Sequence, residues 1–272
     1  MTIADKEYIK LLSKISLLGE VIESRNGTTK RLFDIPRVVF ESFPLITLRK
    51  TAWKMAIREM QWFLSGEKKC PEELFSWWKD QLNEEGLYYL GYGHQLRHFN
   101  DRFDQINEML AGLKSHPYSR RHVITTWNPE DMSWITAANN NEKTPTTCHT
   151  TIAQFFCSTD NTISMSSYQR SADMLLGVPH NWVQSWALLL WLARQTGRQI
   201  KKMIWTFGDA HIYMEESHRK TLQELLSCPI SSYNTHVNLL YNAEAGRSFD
   251  VNDFFLSTLV PQPKVITRPR LL

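Results

Sequence analysis

Hydrophobic residues recur at helical spacing in several separate stretches of the chain. Leu11, Ile15 and Leu18 fall three or four positions apart, which predicts an amphipathic helix over residues 5–22. Further helices are expected over these residues: 49–64, 102–114, 181–196 and 209–226. The last of them would begin at Asp209, a residue type that caps helix N-termini well.

Shorter apolar runs between these helices predict β-strands. They cover the following residues: 31–40, 122–127, 149–157, 162–169, 200–206 and 235–240. The helix over 181–196 is apolar around most of its circumference, as a helix buried in a core is, and Gly197 suits its C-terminus. The pattern therefore predicts an α+β protein with several strands and one buried central helix.

Composition narrows the class of protein. The 272 residues are 42% hydrophobic and 22% charged, which is ordinary for a globular protein and sufficient for a sizeable core. No linker, repeat or low-complexity tract divides the chain, so we expect one domain over residues 1–272. The net charge is only +3 and no long basic run occurs, which argues against nucleic acid as the main partner.

The cysteines and the apolar runs indicate a compartment. Cys70, Cys148, Cys157 and Cys228 show neither a CxxC pair nor a metal-ligand spacing, so we expect reduced thiols and no metal site. The N-terminal residues lack the apolar core of a signal peptide, and no run reaches the roughly 18 apolar residues of a membrane span. These features predict a cytoplasmic protein, in the host cytoplasm if a phage encodes it.

A small set of residues is capable of covalent chemistry on a pyrimidine nucleotide. A thiolate such as that of Cys148 can add to C6 of the base, which makes C5 nucleophilic. The reaction also needs arginines for the phosphate, an amide for the base and an acid/base group. Asn181, Glu59 and Tyr92 supply such groups. These residues also have structural interpretations. Cys148 would be a buried structural cysteine, Glu59 a member of a buried ion pair, and the arginines surface charges.

The candidate residues fall within motifs that follow one another along the chain. They are Ser119-Arg120-Arg121, Trp127-Asn128, Cys148-His149, Tyr168-Gln169-Arg170-Ser171 with Asp173, Leu176-Gly177-Val178-Pro179 with Asn181, and Gly208-Asp209-Ala210-His211-Ile212-Tyr213. On these motifs the sequence resembles the thymidylate synthases and their relatives, the pyrimidine-nucleotide hydroxymethylases. The resemblance runs from about residue 7 to 265 and implies an α+β fold with a large mixed or antiparallel sheet, a buried central helix and flanking helices.

The resemblance also implies a role for each matching residue. Cys148 would attack C6, and Asn181, rather than the Asp of cytidylate enzymes, would read the uracil edge of dUMP. Other substrate ligands would be Arg25, Gln169, Arg170, Ser171, His211 and Tyr213, with Arg120 and Arg121 donated by the second subunit of a homodimer. The acid/base and water network would comprise Glu59, Tyr92 and His149, with Asn181 and Asp173 in the catalytic set. The co-substrate 5,10-methylenetetrahydrofolate would contact Trp78, Asp173, Leu176, Gly177 and His180.

Departures from the family pattern bear on the product. Polar residues stand at positions that are usually apolar or aromatic near the folate, namely Thr146, Thr147, His180 and Gln184, and the chain ends in Arg268-Pro269-Arg270-Leu271-Leu272 instead of the usual closing segment. These residues would admit a water to the methylene intermediate. We therefore expect 5-hydroxymethyl-dUMP as the product. The alternative, favoured by Trp78, is thymidylate with dihydrofolate. A silent nucleotide- or RNA-binding regulator is a minor alternative, and acyl transfer by a Cys-His pair is a further one.

Overall fold

The structure is a computed structural model that describes residues 1–24, 27–131, 147–230 and 235–258. Its α-helices are α1 (Ile3–Leu18), α2 (Trp53–Ser65), α3 (Phe75–Trp78), α4 (Tyr92–Arg97), α5 (Gln105–Ser115), α6 (Gly177–Gln195) and α7 (Glu216–Leu226). Short 3-10 turns lie at Glu72–Leu74 and Val251–Asp253. The strands are β1 (Glu20–Ser24), β2 (Gly27–Leu32), β3 (Val38–Phe40), β4 (Val123–Thr125), β5 (Ile152–Cys157), β6 (Thr162–Asp173), β7 (Gln199–Tyr213), β8 (Leu239–Tyr241) and β9 (Phe254–Leu256).

Most of these strands form one large mixed sheet. Its order in the described chain is β1-β2-β7-β6-β5-β4, and β3 pairs with a second stretch of β7. Strands β6 and β7 are parallel, and all other pairs are antiparallel. A parallel pair requires a long crossover, and helix α6 supplies it. The predicted α+β class with a large sheet is therefore confirmed.

Helix α6 is the centre of the core. It is buried along nearly its whole length, and Trp182 is fully buried against Tyr8 and Phe40. Helix α2 packs against it. The helix ends where Gly197 adopts a φ of +66°, a left-handed conformation that favours glycine. The prediction of a buried central helix that ends at this glycine is confirmed.

The opposite face of the sheet is exposed and carries apolar side chains. Along β5 the side chains alternate, so that Ile152 and Phe156 are exposed while Phe155 is buried. A row of paired positions crosses this face from Val123 on β4 through Gln154, Ser166 and Ile204 to Val39 on β3, so it contains both polar and apolar residues. Single exposed apolar residues are common, but several of them on one sheet face are typical of a protein interface.

Two predicted elements were wrong. Residues 31–40 form no single strand, because β2 ends at Leu32 and β3 begins at Val38, each pairing with a different stretch of β7. The helix expected from Asp209 is instead the end of β7, and α7 begins only at Glu216. There the backbone of β7 pairs with β2 on one side and β6 on the other, and the Asp209 carboxylate lies 3.2 Å from Arg31 Nη1.

Several predictions fall outside the described residues. They concern Thr146, the predicted phosphate ligand Arg25, and the C-terminal residues from 259 to Leu272. Among the residues that are described, no helix is long and apolar enough to cross a membrane. No disulfide joins any of the four cysteines, all of which lie in the described part of the chain.

Candidate active site

One cleft of about 690 Å³ opens at the junction of the sheet with helices α2 and α6. Its walls contain most of the candidate residues, namely Glu59, Trp78, Tyr92, Cys148, His149, Gln169, Asp173, Leu176, Gly177, His180, Asn181 and Tyr213. These residues come from distant parts of the sequence. The fold therefore brings the predicted nucleophile, acid/base group and base reader to one place.

The candidate nucleophile Cys148 lies in the segment that leads into β5. The Tyr92 hydroxyl oxygen lies 3.3 Å from its Sγ and accepts hydrogen bonds from the backbone N–H of Cys148 (2.7 Å) and His149 (3.3 Å). Because these two bonds occupy both lone pairs of the phenol oxygen, its own hydrogen is directed at the sulfur. Tyr92 therefore donates to Cys148, which favours the thiolate.

Opposing influences act on the Cys148 thiol. Burial raises its pKa, while the hydrogen bond from Tyr92 and the positive charge of Arg170 lower it. Burial also raises the pKa of Tyr92 well above its usual value, so the phenol keeps its hydrogen. The guanidinium of Arg170 is held 4.9 Å above the ring of Trp127 and donates to the Thr147 carbonyl oxygen at 3.2 Å.

His149 follows the nucleophile but does not act as its base. Its ring stacks on Tyr92 at 4.5 Å, and its Nδ1 lies 3.1 Å from the Thr150 hydroxyl. Burial lowers its pKa to about 3, so the ring is neutral near pH 7. Among the described contacts none joins this ring to the Cys148 sulfur. The neighbouring position in sequence therefore does not create a Cys-His ion pair.

Glu59 projects from α2 into the cleft, where it is 7% exposed. Trp78 Nε1 donates to one of its oxygens and Gln184 Nε2 to the other. Burial raises the pKa of Glu59 to about 7, against the lowering effect of the two hydrogen bonds. A carboxyl group with this pKa can both accept and donate a proton near neutral pH, so the acid/base interpretation is favoured over an ion pair.

Helix α6 presents one face to the cleft. Gly177, His180, Asn181 and Gln184 occupy positions i, i+3, i+4 and i+7 of this helix and therefore lie on one side of it. Asp173, at the end of β6, accepts hydrogen bonds from the backbone N–H groups just before the helix, at 2.9 and 3.0 Å. The strand end and the first turns of α6 thus form one wall of the site.

Three side-chain amides connect the sheet to Glu59. Trp205 Nε1 donates to Gln169 Oε1 at 2.9 Å, and Gln169 Nε2 donates to Asn181 Oδ1 at 3.0 Å. Asn181 Nδ2 then donates to Gln184 Oε1 at 3.3 Å, and Gln184 Nε2 donates to Glu59. We call this series of hydrogen bonds, from Trp205 to Glu59, the amide chain.

His180 has both ring nitrogens engaged by the protein. Nδ1 lies 2.8 Å from the Leu176 carbonyl oxygen, and the Ala52 backbone N–H donates to Nε2 at 3.3 Å. These bonds require a hydrogen on Nδ1 and a lone pair on Nε2. Burial lowers the pKa of His180 to about 4, so the ring is neutral. Its ring packs at a tilt against the ring of Trp77, with 4.9 Å between the ring centroids, and this contact holds it beside the cleft.

His211 and Tyr213 share one face because they are alternate residues of a strand. Their rings meet edge to face at 5.4 Å. On the predicted helix these two positions would have pointed in different directions. Tyr213 lines the cleft, while His211 is buried beside it in register with Asp173.

The remaining anion ligands lie outside the cleft walls. Arg170 and Ser171 follow Gln169 on β6, and the Ser171 N–H donates to the Cys148 carbonyl oxygen at 3.4 Å. Arg120 and Arg121 are exposed in the turn before β4 and do not line the cleft of their own chain. The structure therefore places Arg170 next to the nucleophile and leaves Arg120 and Arg121 on the surface.

Two residues of the site were not identified as site residues from sequence. Arg49 lines the cleft, is 7% exposed and donates to the Leu175 carbonyl oxygen. Its position directly after the apolar run at 45–48 was an available signal, because charged residues seldom lie in buried segments. Gln184 was noted only as a departure from the family pattern. Among the described residues, no three His, Cys, Asp or Glu side chains cluster as metal ligands would.

The arrangement brings the thiol of Cys148, the carboxyl group of Glu59 and the amide of Asn181 together around one cleft, as a nucleophile, a proton carrier and a base reader would need to be. The family model for thymidylate synthase matches residues 6–269. The thymidylate synthase of Corynebacterium aurimucosum is 32% identical over 274 aligned residues, 97% of each chain. A probable thymidylate synthase of Escherichia phage T5 is 31% identical over 277, covering 92% of this chain and 95% of that protein.

The chain therefore belongs to the thymidylate synthase family. Members of this family are one-carbon transferases that act on dUMP and use methylenetetrahydrofolate as co-substrate. The protein is accordingly an enzyme of the transferase class. The resemblance drawn from the motifs is confirmed.

Proposed function

We propose that this protein transfers one carbon from 5,10-methylenetetrahydrofolate to C5 of dUMP through a covalent bond between Cys148 and C6 of the base. The observation that carries the proposal is the position of Cys148, Glu59 and Asn181 around one cleft. The side chains supply the three functions that such a transfer needs: a nucleophile, a proton carrier and a reader of the base.

The reaction begins when the Cys148 thiolate adds to C6 and the electrons of the C5–C6 double bond move toward the C4 oxygen. The resulting C5 nucleophile forms a bond to the methylene carbon of the folate as the bond from this carbon to one of its two nitrogens breaks and that nitrogen takes up a proton, and C5 then loses its own proton. Cleavage of the remaining bond from this carbon to the second folate nitrogen leaves a methylene group on C5. Glu59 is the group near the base whose pKa suits proton transfer at these steps.

Arg170 is the proposed centre of the phosphate site. Its side chain is half-buried near Cys148 and donates from Nη2 to the Thr147 carbonyl oxygen, and the guanidinium carries further N–H groups that an anion can accept from. Arginine binds phosphate well because its planar fork can donate two parallel hydrogen bonds. We assign Arg25 and Ser171 to the same phosphate, together with Arg120 and Arg121 of a second subunit. His211 and Tyr213 are assigned to the sugar.

A homodimer through the exposed sheet face would bring in that second subunit. The face carries Ile152 and Phe156, and the turn with Arg120 and Arg121 lies at its β4 edge. We expect Phe156→Asp to convert a dimer into a monomer in analytical ultracentrifugation and to raise the KM for dUMP. A monomeric unsubstituted protein with full activity would contradict the shared site.

For the product we favour thymidylate with dihydrofolate. Two of the polar residues that predicted a bound water are engaged by the protein: His180 through both ring nitrogens, and Gln184 by Glu59 and Asn181. In addition, both curated relatives carry the name of a synthase. A hydride from tetrahydrofolate would then reduce the methylene group, after which the bond from C6 to sulfur breaks.

The reduced thiols and the phage relative support a cytoplasmic protein, in the host cytoplasm if phage-encoded.

The second candidate product is 5-hydroxymethyl-dUMP, our prediction from the sequence. It is favoured by the Gln184 amide beside Glu59, because the amide keeps one N–H that could hold a water next to a carboxylate base. In this case water adds to the methylene group and tetrahydrofolate leaves without oxidation.

One incubation with dUMP and methylenetetrahydrofolate distinguishes these outcomes. The nucleotide product is identified by mass spectrometry while dihydrofolate is followed by absorbance. Thymidylate with an equal amount of dihydrofolate supports the first candidate, and hydroxymethyl-dUMP without dihydrofolate supports the second. Tight dUMP binding without either product would instead support the silent nucleotide-binding alternative.

Acyl transfer by Cys148 and His149 is disfavoured because the neutral imidazole does not contact the sulfur.

A further inference from the structure

Gln184 lies between two residues that have different tasks in the proposed function. It is fully buried, its Oε1 accepts from Asn181 Nδ2 at 3.3 Å, and its Nε2 donates to Glu59. No other described side chain bridges this base reader and this acid/base group directly. A buried amide with both ends engaged has a single orientation, because turning it over would place like groups together.

The ends of the amide chain determine the direction of every hydrogen bond within it. The indole of Trp205 can only donate, so Gln169 must turn its oxygen toward it and its nitrogen toward Asn181. At the other end the ionised carboxylate of Glu59 can only accept, so Gln184 must turn its nitrogen toward it. Asn181 is therefore required to present Oδ1 to Gln169 and Nδ2 to Gln184.

This orientation leaves Asn181 with one N–H and one oxygen lone pair for a ligand. Uracil offers a donor at N3 and an acceptor at O4, which match that pair. Cytosine offers an acceptor at N3 and a donor at N4, and would match only if the Asn181 amide turned over. Turning it over would set its nitrogen against Gln169 Nε2 and its oxygen against Gln184 Oε1.

We propose that Gln184 is a positioning residue that holds the Asn181 amide in the uracil-reading orientation and makes this orientation depend on the ionised form of Glu59, which can only accept hydrogen bonds. The inference rests on the proposed role of Asn181 in reading dUMP. Gln184 would then contribute to nucleotide selectivity without touching the nucleotide.

The decisive experiment measures dissociation constants of dUMP and dCMP by calorimetry, so that no turnover is needed. In Glu59→Gln the oxygen of the new amide accepts from Trp78, and its nitrogen faces the Gln184 nitrogen, so that two donors meet. The amide chain then contains one donor too many. We expect the preference for dUMP over dCMP to fall roughly fivefold to tenfold, the value of one hydrogen bond.

The double variant Glu59→Gln with Gln184→Glu restores a carboxylate to the amide chain. The carboxylate now stands at residue 184, in direct contact with Asn181. This arrangement satisfies the donors of Trp78, of the new amide and of Asn181 together. We expect the dUMP preference to return to within about threefold of the unsubstituted protein, while turnover stays low because the carboxylate has moved. A purely structural role for Gln184 would not produce this restoration, and its absence in the folded double variant would overturn the proposal.

Gln184→Met provides a second test without a change of charge. It retains an unbranched side chain of similar length but neither donates nor accepts, so the dUMP preference should again fall roughly fivefold. The matched control is Gln195→Met on the same helix. Gln195 is likewise buried and bridges two backbone groups, Arg247 O at 2.8 Å and Gly246 N at 2.7 Å. Gln195→Met should lose stability and keep the preference for dUMP over dCMP. An equal preference in Gln184→Met and Gln195→Met would overturn the proposal.

Failure of the inference differs from failure of the proposed function. If the unsubstituted protein shows no preference for dUMP, Asn181 does not read the base and the proposed function is wrong. If the preference exists but neither Gln184→Met nor Glu59→Gln reduces it, only the role of Gln184 is wrong.

Discussion

The cleft contains two acidic groups with proposed chemical roles, and the protein treats them differently. On the sheet side, the half-buried Cys148 lies near the cation Arg170 and receives a hydrogen bond from Tyr92. On the α2 side, the buried Glu59 receives hydrogen bonds from neutral donors, those of Trp78 and Gln184, in the described part of the chain. Burial raises the pKa of both groups, but only the thiol is offset by a full positive charge.

The difference assigns one task to each group. Burial holds the pKa of the Cys148 thiol above its ordinary value, but the cation Arg170 and the hydrogen bond from Tyr92 stabilise the thiolate against this effect, and the thiolate is the form that a nucleophile needs. A carboxyl group held by neutral donors titrates near pH 7 and can pass a proton in either direction. The contrast predicts that the two groups will respond differently to substitution and to pH.

Removing the nucleophile should have the largest effect. Cys148→Ala is expected to reduce turnover by at least about a thousandfold, because no covalent bond to C6 can form, and to leave dUMP binding largely intact. Turnover and calorimetric binding check this. Cys228→Ala is the control, since Cys228 is also half-buried and outside any disulfide, but does not line the cleft. Near-normal turnover by Cys148→Ala would rule out the covalent mechanism.

Neutralising the carboxyl group should have the next largest effect. Glu59→Gln is expected to reduce kcat about a hundredfold to a thousandfold, the usual value of a general acid/base. In the unsubstituted protein, kcat/KM should fall on the acid side with an apparent pKa near the value of about 7 for Glu59. That acid limb should disappear in Glu59→Gln.

Asp5 offers a matched control for this substitution. Its carboxylate is fully buried and accepts hydrogen bonds from Thr47, but it lies outside the cleft. Asp5→Asn should therefore destabilise the protein and leave the acid limb in place. A limb that persists unchanged in Glu59→Gln would show that another group titrates there.

The raised pKa of Glu59 also affects stability. Its pKa is about 7 when folded against an ordinary value of 4.5, so the folded state holds a proton that the unfolded state releases between these values. Stability from this group is therefore lost as pH rises through that window. Between pH 4 and pH 8 the free energy of unfolding of Glu59→Gln, relative to the unsubstituted protein, should increase by about 3 kcal/mol. Urea denaturation at both pH values measures it, and a difference independent of pH would contradict the shift.

The smallest predicted effect concerns selectivity. Asn181→Asp places a second carboxylate near Glu59 and replaces a donor with an acceptor. We expect kcat/KM for dUMP to fall by about tenfold or more, with a relative gain for dCMP, because the exocyclic amine of cytosine can donate to the carboxylate. Competition between the two nucleotides measures this change. Unchanged selectivity would mean that the base is read elsewhere.

The sequence was most informative where one local pattern decides the structure. The apolar circumference of residues 181–196 predicted the buried helix α6, and Gly197 predicted its end. The segment from Asp209 was misjudged because its residue types also suit a helix start. Its pairing with β2 and β6 makes it a strand, and no local signal reports that long-range pairing.

By itself the sequence determined the family and the candidates for nucleophile and ligands, because these depend on residue types in a fixed order. Only the tertiary structure decided how they act. It separated His149 from the sulfur, engaged both nitrogens of His180, and joined Asn181 to Glu59 through Gln184. These outcomes depend on burial and on hydrogen-bond direction between residues far apart in the chain, which residue order does not specify.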